Sequence, residues 1–244
     1  MSSPKIETRQ QAARVSSSAE TTLKPARKKS KTKRIILIAL AAALAYAAFD
    51  LYGPRSSKMR SFDPDEVARL ETGMWKSYYS RERLKLYNQL TELLRTQYNL
   101  PFVRSNAVAY QASRAAFVFK DGHNRGEYER ALPYLVKFYR SVRAVSDVPF
   151  DVDRAARLEL EWWIIHRERA SHAPGDLDRA LADLPAELYG VPAERLMEHA
   201  RLRAEAMTIR DTKADQGGVT EADWAKIDEL LHASWKSLYK AVNN

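Results

Sequence analysis

An apolar run near the N-terminus, Ile35–Tyr52, constrains this 244-residue chain more than any other stretch. It reads IILIALAAALAYAAFDLY, and its first 15 residues carry no charge. As an α-helix it would extend roughly 27 Å, which is close to the hydrocarbon thickness of one bilayer. A helix that is apolar all round has no polar face to present to water at the surface of a soluble domain. The run therefore predicts a single transmembrane anchor.

Cationic residues precede the run in excess, and this asymmetry predicts its orientation. The nearest of them are Lys28, Lys29, Lys31, Lys33 and Arg34. Because positively charged flanks stay on the cytoplasmic side, we expect a cytoplasmic N-terminus and a body on the outer (periplasmic or extracellular) side. The same cations would contact anionic headgroups, so membrane lipid is one expected partner.

Three other interpretations of the run remain open. The small-residue pattern Ala45-Tyr46-Ala47 is typical of signal cleavage, and cleavage near Ala47 would release the body as a secreted protein. The charged region before the run would then be unusually long for a signal peptide. A mitochondrial presequence and a core helix of a soluble protein are the remaining alternatives.

The run divides the chain into four predicted parts: a disordered basic tail (1–34), the anchor (35–52), a linker (53–61) and an all-α body (62–244). Residues 1–60 hold 13 Lys and Arg against 3 Asp and Glu, whereas residues 61–244 hold 27 against 28. The net charge of +9 therefore belongs to the region around the anchor. Because the body has no net positive charge, no nucleic-acid partner is expected.

The body is predicted to be an irregular bundle of about seven helices, with a helical-hairpin array as the alternative. Capping signals mark several helix starts: Asp63 with Glu66, Asn124 with Glu127, Asp151, and Thr220. No run alternates as a half-buried strand does, so the fold class is all-α. The predicted helices cover residues 62–98 with a bend or break near 81–85, 106–120, 124–145 kinked at Pro133, 152–171, 175–189 interrupted at Pro185, 192–212 and 220–242.

Two short stretches of the body share a spacing of small and large residues: Gly126/Tyr128/Ala131 and Gly175/Leu177/Ala180. The pattern resembles half of a tetratricopeptide repeat, in which these positions allow a helical hairpin to pack closely. The two stretches lie 49 residues apart, compared with about 34 in that family. What the resemblance implies is a helical-hairpin array in this part of the body.

The predicted helix 152–171 carries the densest group of residues that could form a ligand site. Adjacent tryptophans on a helix face different directions, so Trp162 is predicted to enter the core while Trp163 lies at its boundary. A boundary tryptophan beside acids and a histidine can form the floor of a pocket, although simple packing explains it too. The candidate ligand- or partner-contact residues are Glu159, Glu161, Trp163 and His166, and no catalytic residue is assigned.

Metal and cofactor chemistry has little support in the sequence. The chain has no cysteine, which excludes thiolate sites. A di-iron site in a helix bundle needs two Glu-x-x-His pairs, and only Glu229-Leu230-Leu231-His232 is present. His166 and Glu168 are two residues apart and do not share a helix face. No phosphate loop, nucleophile elbow or dinucleotide fingerprint occurs, so neither a metal nor a cofactor is expected.

Two functions are compatible with these features. The first is a non-enzymatic interaction or scaffold module held at the membrane, whose tyrosine-rich helix faces would contact an unknown protein partner. The alternative is a small-ligand-binding protein or hydrolytic enzyme, with a pocket between helices near Trp163 and His166. A purely structural membrane component is a third option.

Overall fold

The computed structural model describes residues 29–244, with side chains from residue 31 onward. Within that range the chain is helical and contains no β-strand, which confirms the all-α prediction. Most of the predicted basic tail lies outside the described residues, including Lys28 and the side chain of Lys29.

The α-helices are α1 (Lys29–Tyr52), α2 (Pro64–Tyr79), α3 (Arg83–Thr96), α4 (Phe102–Lys120), α5 (Arg125–Tyr128), α6 (Leu132–Arg143), α7 (Val152–Arg167), α8 (Asp176–Tyr189), α9 (Met197–Asp215) and α10 (Glu221–Asn243).

Helix α1 contains the apolar run. Within Lys31–Tyr52 its most apolar 18-residue window has a mean hydropathy of 2.1, and side chains such as Ile35 and Leu44 are exposed. By length and composition this helix can cross a membrane, and a signal sequence meets the same criterion. From Ala45 onward the chain belongs to one compact unit that extends to the C-terminus.

The last turn of α1 is joined to the first turn of α4 by reciprocal capping. The Asp50 carboxylate accepts a hydrogen bond from the Arg104 backbone N–H at 3.0 Å, which satisfies one of the free donors at a helix N-terminus. The Arg104 guanidinium donates in return to the carbonyls of Asp50 and Gly53, at 3.0 and 2.7 Å. Both side chains are buried. The charged residue inside the apolar run is therefore a helix cap.

Residues 53–61, predicted as a linker, pack against the body. The Ser57 N–H donates to the Val145 carbonyl at 2.6 Å, and the Asp147 N–H donates back to the Ser57 carbonyl at 3.2 Å. The Met59 side chain is buried in the main core. Because its backbone groups are paired and a side chain is buried, this segment is a part of the folded unit.

The long helices of the body pack in an order that closes on itself. From α2 to α4 and again from α6 to α10, each helix packs against the next, and α4 packs against α6. Helix α10 then returns to pack against α2. Short connections favour such neighbour packing. The main core lies inside this ring and includes Leu135, Ile164, Leu181 and Leu238.

The capping signals located the helix starts correctly but not every partner. Asp63 accepts from the N–H groups of Asp65 and Glu66, and Thr220 forms a full capping box with Asp223. Glu66 does not complete a box, because the Asp63 N–H donates to the Gln97 side chain at 2.9 Å. The start of α2 is thus connected to the end of α3.

Helix breaks differ in part from the prediction. The long first helix is divided into α2 and α3 at residues 80–82, where Arg81 adopts a left-handed φ of +61° that ends a right-handed helix. Pro133 lies in the first turn of α6, a position that tolerates proline. Pro185 lies inside α8 without interrupting it. Leu181 and Leu184 are buried beside it, and their packing outweighs the missing hydrogen bond.

The two repeat-like stretches adopt different structures. The first folds as the four-residue helix α5 followed by a 3₁₀ turn, Glu129–Ala131. The second begins with Gly175 at a left-handed φ of +92°, directly before α8. Ala131 and Ala180 are both buried, so their small size serves packing in both places.

Candidate functional site: a two-chambered cavity

A cavity of about 570 Å³ opens between five helices of the ring, namely α2, α3, α4, α7 and α9. We call it the outer chamber. Its volume lies within the range of small-molecule sites. Aromatic side chains from two sides dominate its wall, with Trp75, Tyr78 and Tyr79 on α2 facing Trp162 and Trp163 on α7.

Three of the four candidate contact residues line this chamber. Glu159, Trp163 and His166 are spaced by four and three residues on α7 and therefore share one helix face. Glu161 lies outside the chamber, where its carboxylate is 2.7 Å from the Arg125 guanidinium. Helical periodicity alone separates Glu161 from the other three.

Trp162 was predicted to enter the core, but in the structure it also forms part of the cavity wall. It lines the outer chamber beside Trp163, with the two rings edge to face at 6.0 Å between centroids. The Arg203 guanidinium lies 4.9 Å from the centre of the Trp162 ring, a cation–π distance. The adjacent tryptophans therefore form one continuous aromatic wall.

Glu159 lies at the inner end of the outer chamber. The Tyr139 hydroxyl donates to its carboxylate at 2.6 Å, and the Trp163 indole N–H donates at 2.9 Å. Burial raises the pKa of Glu159, and the hydrogen bond from Tyr139 and the charge of Arg203 oppose that rise only in part. Burial also raises the pKa of the Tyr139 hydroxyl well above its ordinary value. The pKa of Glu159 is therefore higher than that of an exposed glutamate.

Glu71, the second carboxylate at the inner end, has a charged partner. Arg203 donates to Glu71 Oε1 through Nε at 3.0 Å and Nη2 at 2.6 Å. The Trp235 indole N–H donates to Glu71 Oε2 at 2.5 Å. The Glu71 side chain is 6% exposed and that of Arg203 is 18% exposed, so this ion pair is largely desolvated.

A second cavity, of about 260 Å³, adjoins the first and is called the inner chamber. Its remaining wall is mostly apolar, with leucines such as Leu94, Leu135 and Leu184. Six residues line both chambers: Glu71, Met74, Ala112, Glu159, Trp163 and Arg203. The site is thus an aromatic and charged outer chamber that shares six lining residues with an apolar inner one.

Asp211 gathers three basic groups at the rim of the outer chamber. Its carboxylate lies 3.0 Å from His166 Nε2, 3.0 Å from Arg169 Nη1 and 2.9 Å from Arg210 Nη1. Burial acts to raise the pKa of Asp211, but His166 and the arginines outweigh it and lower the pKa to about 2. His166 is therefore engaged by an ionised carboxylate.

Two further cations at the rim form no salt bridge with any carboxylate in the part of the chain that the structure describes. The Lys120 ammonium donates to the Tyr78 carbonyl at 3.1 Å, and Arg167 donates to the Gly122 carbonyl at 3.1 Å. Arg167 also lies over the Phe119 ring at 4.6 Å. Burial, followed by the charges of neighbouring arginines, lowers the pKa of Lys120. The rim consequently carries two cations that form no salt bridge among the described residues.

Four buried polar atoms of residues that line the outer chamber have no hydrogen-bond partner among the described residues. His166 Nε2 and Arg210 Nε belong to side chains that lie against Asp211, and the other two are the Ser113 hydroxyl and the Trp162 indole N–H. Because buried polar groups are nearly always paired, both are positions where a ligand acceptor can bind. Ser113 and Lys120 are seven residues apart on α4, so the hydroxyl and the ammonium lie on the same helix face.

Within residues 31–244, no arrangement of side chains fits a metal site. No three His, Asp or Glu side chains there converge on a possible ion site. Glu229 and His232 each contact a different partner. Glu229 pairs with Lys226 at 3.0 Å, and His232 lies 2.7 Å from Asp65. His172 lies 3.7 Å from Asp176.

The sequence did not single out Glu71, Lys120, Arg203 and Arg210, because they come from different helices. One signal was present for Glu71, which lies four residues after Val67 and three before Met74, inside the apolar stripe of α2. A charged residue within such a stripe indicates a buried partner elsewhere.

The chain was compared with protein-family models, with curated proteins and with solved structures. None of the three comparisons gives a significant match.

Proposed function

We propose that this protein is a membrane-anchored binder of a small amphipathic ligand that occupies the two chambers. The observation that carries the proposal is the junction of an aromatic outer chamber, with unpaired donors, and an apolar inner chamber. Protein interiors normally pack with few voids larger than a water molecule. Two adjoining cavities lower stability, and ligand binding would offset that cost.

The same geometry favours binding over hydrolysis. Glu159 is engaged by Tyr139 and Trp163, and His166 by Asp211. A Ser–His pair does occur where α9 meets α10, with Ser234 Oγ 2.7 Å from His199 Nδ1. That serine is fully buried and its hydroxyl donates to the His199 carbonyl at 2.9 Å, so it joins two helices.

The ligand-binding proposal is tested with the full chain in a non-ionic amphipol. The neutral probe N-phenyl-1-naphthylamine is titrated while its fluorescence is followed. We expect saturable binding that is lost in Ala116→Trp, which fills the outer chamber, and retained in Ala107→Trp, an exposed position on the same helix. Equal binding by both variants would mean that the probe does not enter the chamber.

The anchor is supported by the apolar composition of α1 and by the Asp50–Arg104 contact, which attaches its last turn to the body. Carbonate extraction of expressed membranes tests it, and we expect the full-length chain in the pellet. Protease digestion of intact cells tests the proposed orientation, with the body outside and the N-terminus protected. A soluble product that begins near residue 48 would show that α1 is a cleaved signal sequence.

The scaffold function stays a prediction. Outside α1, the large exposed apolar side chains among the described residues are Leu84, Phe102, Tyr110 and Tyr239. They belong to three helices, α3, α4 and α10. Crosslinking pull-downs with wild-type protein and Phe102→Ser/Tyr110→Ser would test whether this surface contacts a protein partner.

A further inference from the structure

We propose that the ligand is a single-chain amphiphile with an anionic headgroup, a carboxylate or a phosphate. Its headgroup lies at the rim beside Lys120 and Arg167, and its chain passes Ala112 into the inner chamber. This inference rests on the proposed function, because both chambers must accept the same ligand.

The charge balance of the rim selects the sign of the headgroup. Two carboxylates, Asp211 and Asp215, share the outer end of the chamber with four cations: Lys120, Arg167, Arg169 and Arg210. Asp211 alone engages two of these arginines and His166. An anion entering here is attracted by the excess positive charge, whereas a cation is repelled.

The unpaired polar groups at the chamber lead to the same class of ligand. Among the described residues, the Ser113 hydroxyl and the Trp162 N–H have no hydrogen-bond partner, and Lys120 and Arg167 donate to backbone carbonyls. The indole, ammonium and guanidinium groups can only donate hydrogen bonds. Carboxylate and phosphate groups present several acceptor oxygens and bind such donors through charge-assisted hydrogen bonds.

The apolar part of the ligand lies in the inner chamber. Leucine side chains form much of its wall, and Ala112 has the smallest side chain of the six residues that line both chambers. Glu159 also lines both chambers, and its carboxylate accepts hydrogen bonds from Tyr139 and Trp163. An acyl chain therefore passes polar groups that already have partners, including the Glu71–Arg203 pair, whose charges compensate each other.

Headgroup selectivity is tested by displacing the naphthylamine probe from the full chain with amphiphiles of one chain length, each below its micellar concentration. The four competitors are dodecanoate, dodecanoyl-lysophosphatidate, dodecanol and dodecylamine. We expect at least one of the two anions to displace the probe at concentrations about tenfold or more below dodecanol, with dodecylamine weakest. The two anionic arms separate a fatty acid from a lysophospholipid as the source of the headgroup.

The possible outcomes distinguish the anionic-headgroup proposal from the proposal that the chambers bind a ligand. If dodecanol or dodecylamine competes as well as both anions, the anionic headgroup is wrong, although binding in the chambers stands. If the probe binds but none of the four competitors displaces it, single-chain amphiphiles are excluded. If the probe itself does not bind, the proposed function fails as well.

Two variants test the position of each end of the ligand. Lys120→Met should weaken dodecanoate binding about tenfold or more and leave dodecanol unchanged, while the exposed Lys137→Met serves as the control. Ala112→Leu should abolish the gain of about fourfold in affinity per added methylene between hexanoate and dodecanoate, with Ala107→Leu as its control. Unchanged binding in Lys120→Met, or an unchanged chain-length series in a folded Ala112→Leu protein, would contradict this placement.

Discussion

The inner end and the rim of the outer chamber handle charge in opposite ways. At the inner end each carboxylate is matched, Glu71 by Arg203 and Trp235, and Glu159 by Tyr139 and Trp163. At the rim, Lys120 and Arg167 have no carboxylate partner among the described residues. Fully paired groups stabilise the fold, whereas unpaired cations remain available to a ligand. The difference suggests that the inner end is structural and the rim is functional.

The largest effect should come from breaking the ion pair at the inner end. Arg203→Met leaves the Glu71 carboxylate buried with only the Trp235 indole as a donor, and we expect a loss of about 3–5 kcal/mol in the free energy of unfolding. Urea denaturation followed by tryptophan fluorescence measures it. Combining it with Glu71→Gln should recover part of the loss, because no buried charge is then left unpaired. A single variant as stable as the wild type would show that the pair is not structural.

A second large effect concerns pH at the contact between α9 and α10. Burial and the nearby Arg203 lower the pKa of His199 from 6.5 to about 4. The unfolded chain therefore binds the proton more tightly than the folded one, so stability is lost as the pH falls from about 6.5 to about 4. The loss should reach about 3 kcal/mol, and it should be absent in His199→Gln but present in the exposed His123→Gln. Asp211, with its pKa near 2, adds a separate loss only below about pH 3.8.

The two glutamates at the inner end should respond differently to the same substitution. Glu71→Gln removes the charge that Arg203 requires and should cost about 1.5–3 kcal/mol at pH 7. Glu159→Gln changes a carboxyl whose hydrogen-bond partners, Tyr139 and Trp163, are both neutral, so its cost should stay near 1 kcal/mol or below. Because the pKa of Glu159 is raised, its stabilising contribution is lost as the pH rises through that value. Equal costs for the two variants would remove the distinction between them.

The smallest effect on stability should occur at the rim. Lys120→Met removes a cation whose charged form burial already disfavours, so the free energy of unfolding should change by less than about 0.5 kcal/mol. Lys137→Met provides the matched exposed control in the same thermal melts. A destabilisation comparable to that of Arg203→Met would place Lys120 among the structural residues.

The sequence could predict only those features that depend on residues close together in the chain. Asp63 and Thr220 located helix starts because a capping side chain and the backbone N–H groups that donate to it lie within a few residues. The spacing of Glu159, Trp163 and His166 is equally local and puts them on one helix face, although the prediction had grouped Glu161 with them. The partners of Glu71 and Asp50 lie 132 and 54 residues away, at Arg203 and Arg104, and no local pattern predicts such pairs. Closure of the ring through α10 and α2 is likewise a property of the whole body.

That closure affects how the protein is made. Glu71 and Trp235, which join α2 to α10, are separated by 164 residues, so this contact cannot form until the last helix has left the ribosome. At typical translation speeds the delay is on the order of 10 seconds or more. During that time the leucines of the inner chamber face an open edge, and the chain presents apolar surface that chaperones recognise. The nascent protein therefore acquires its two chambers only when synthesis is almost complete, long after α1 has emerged.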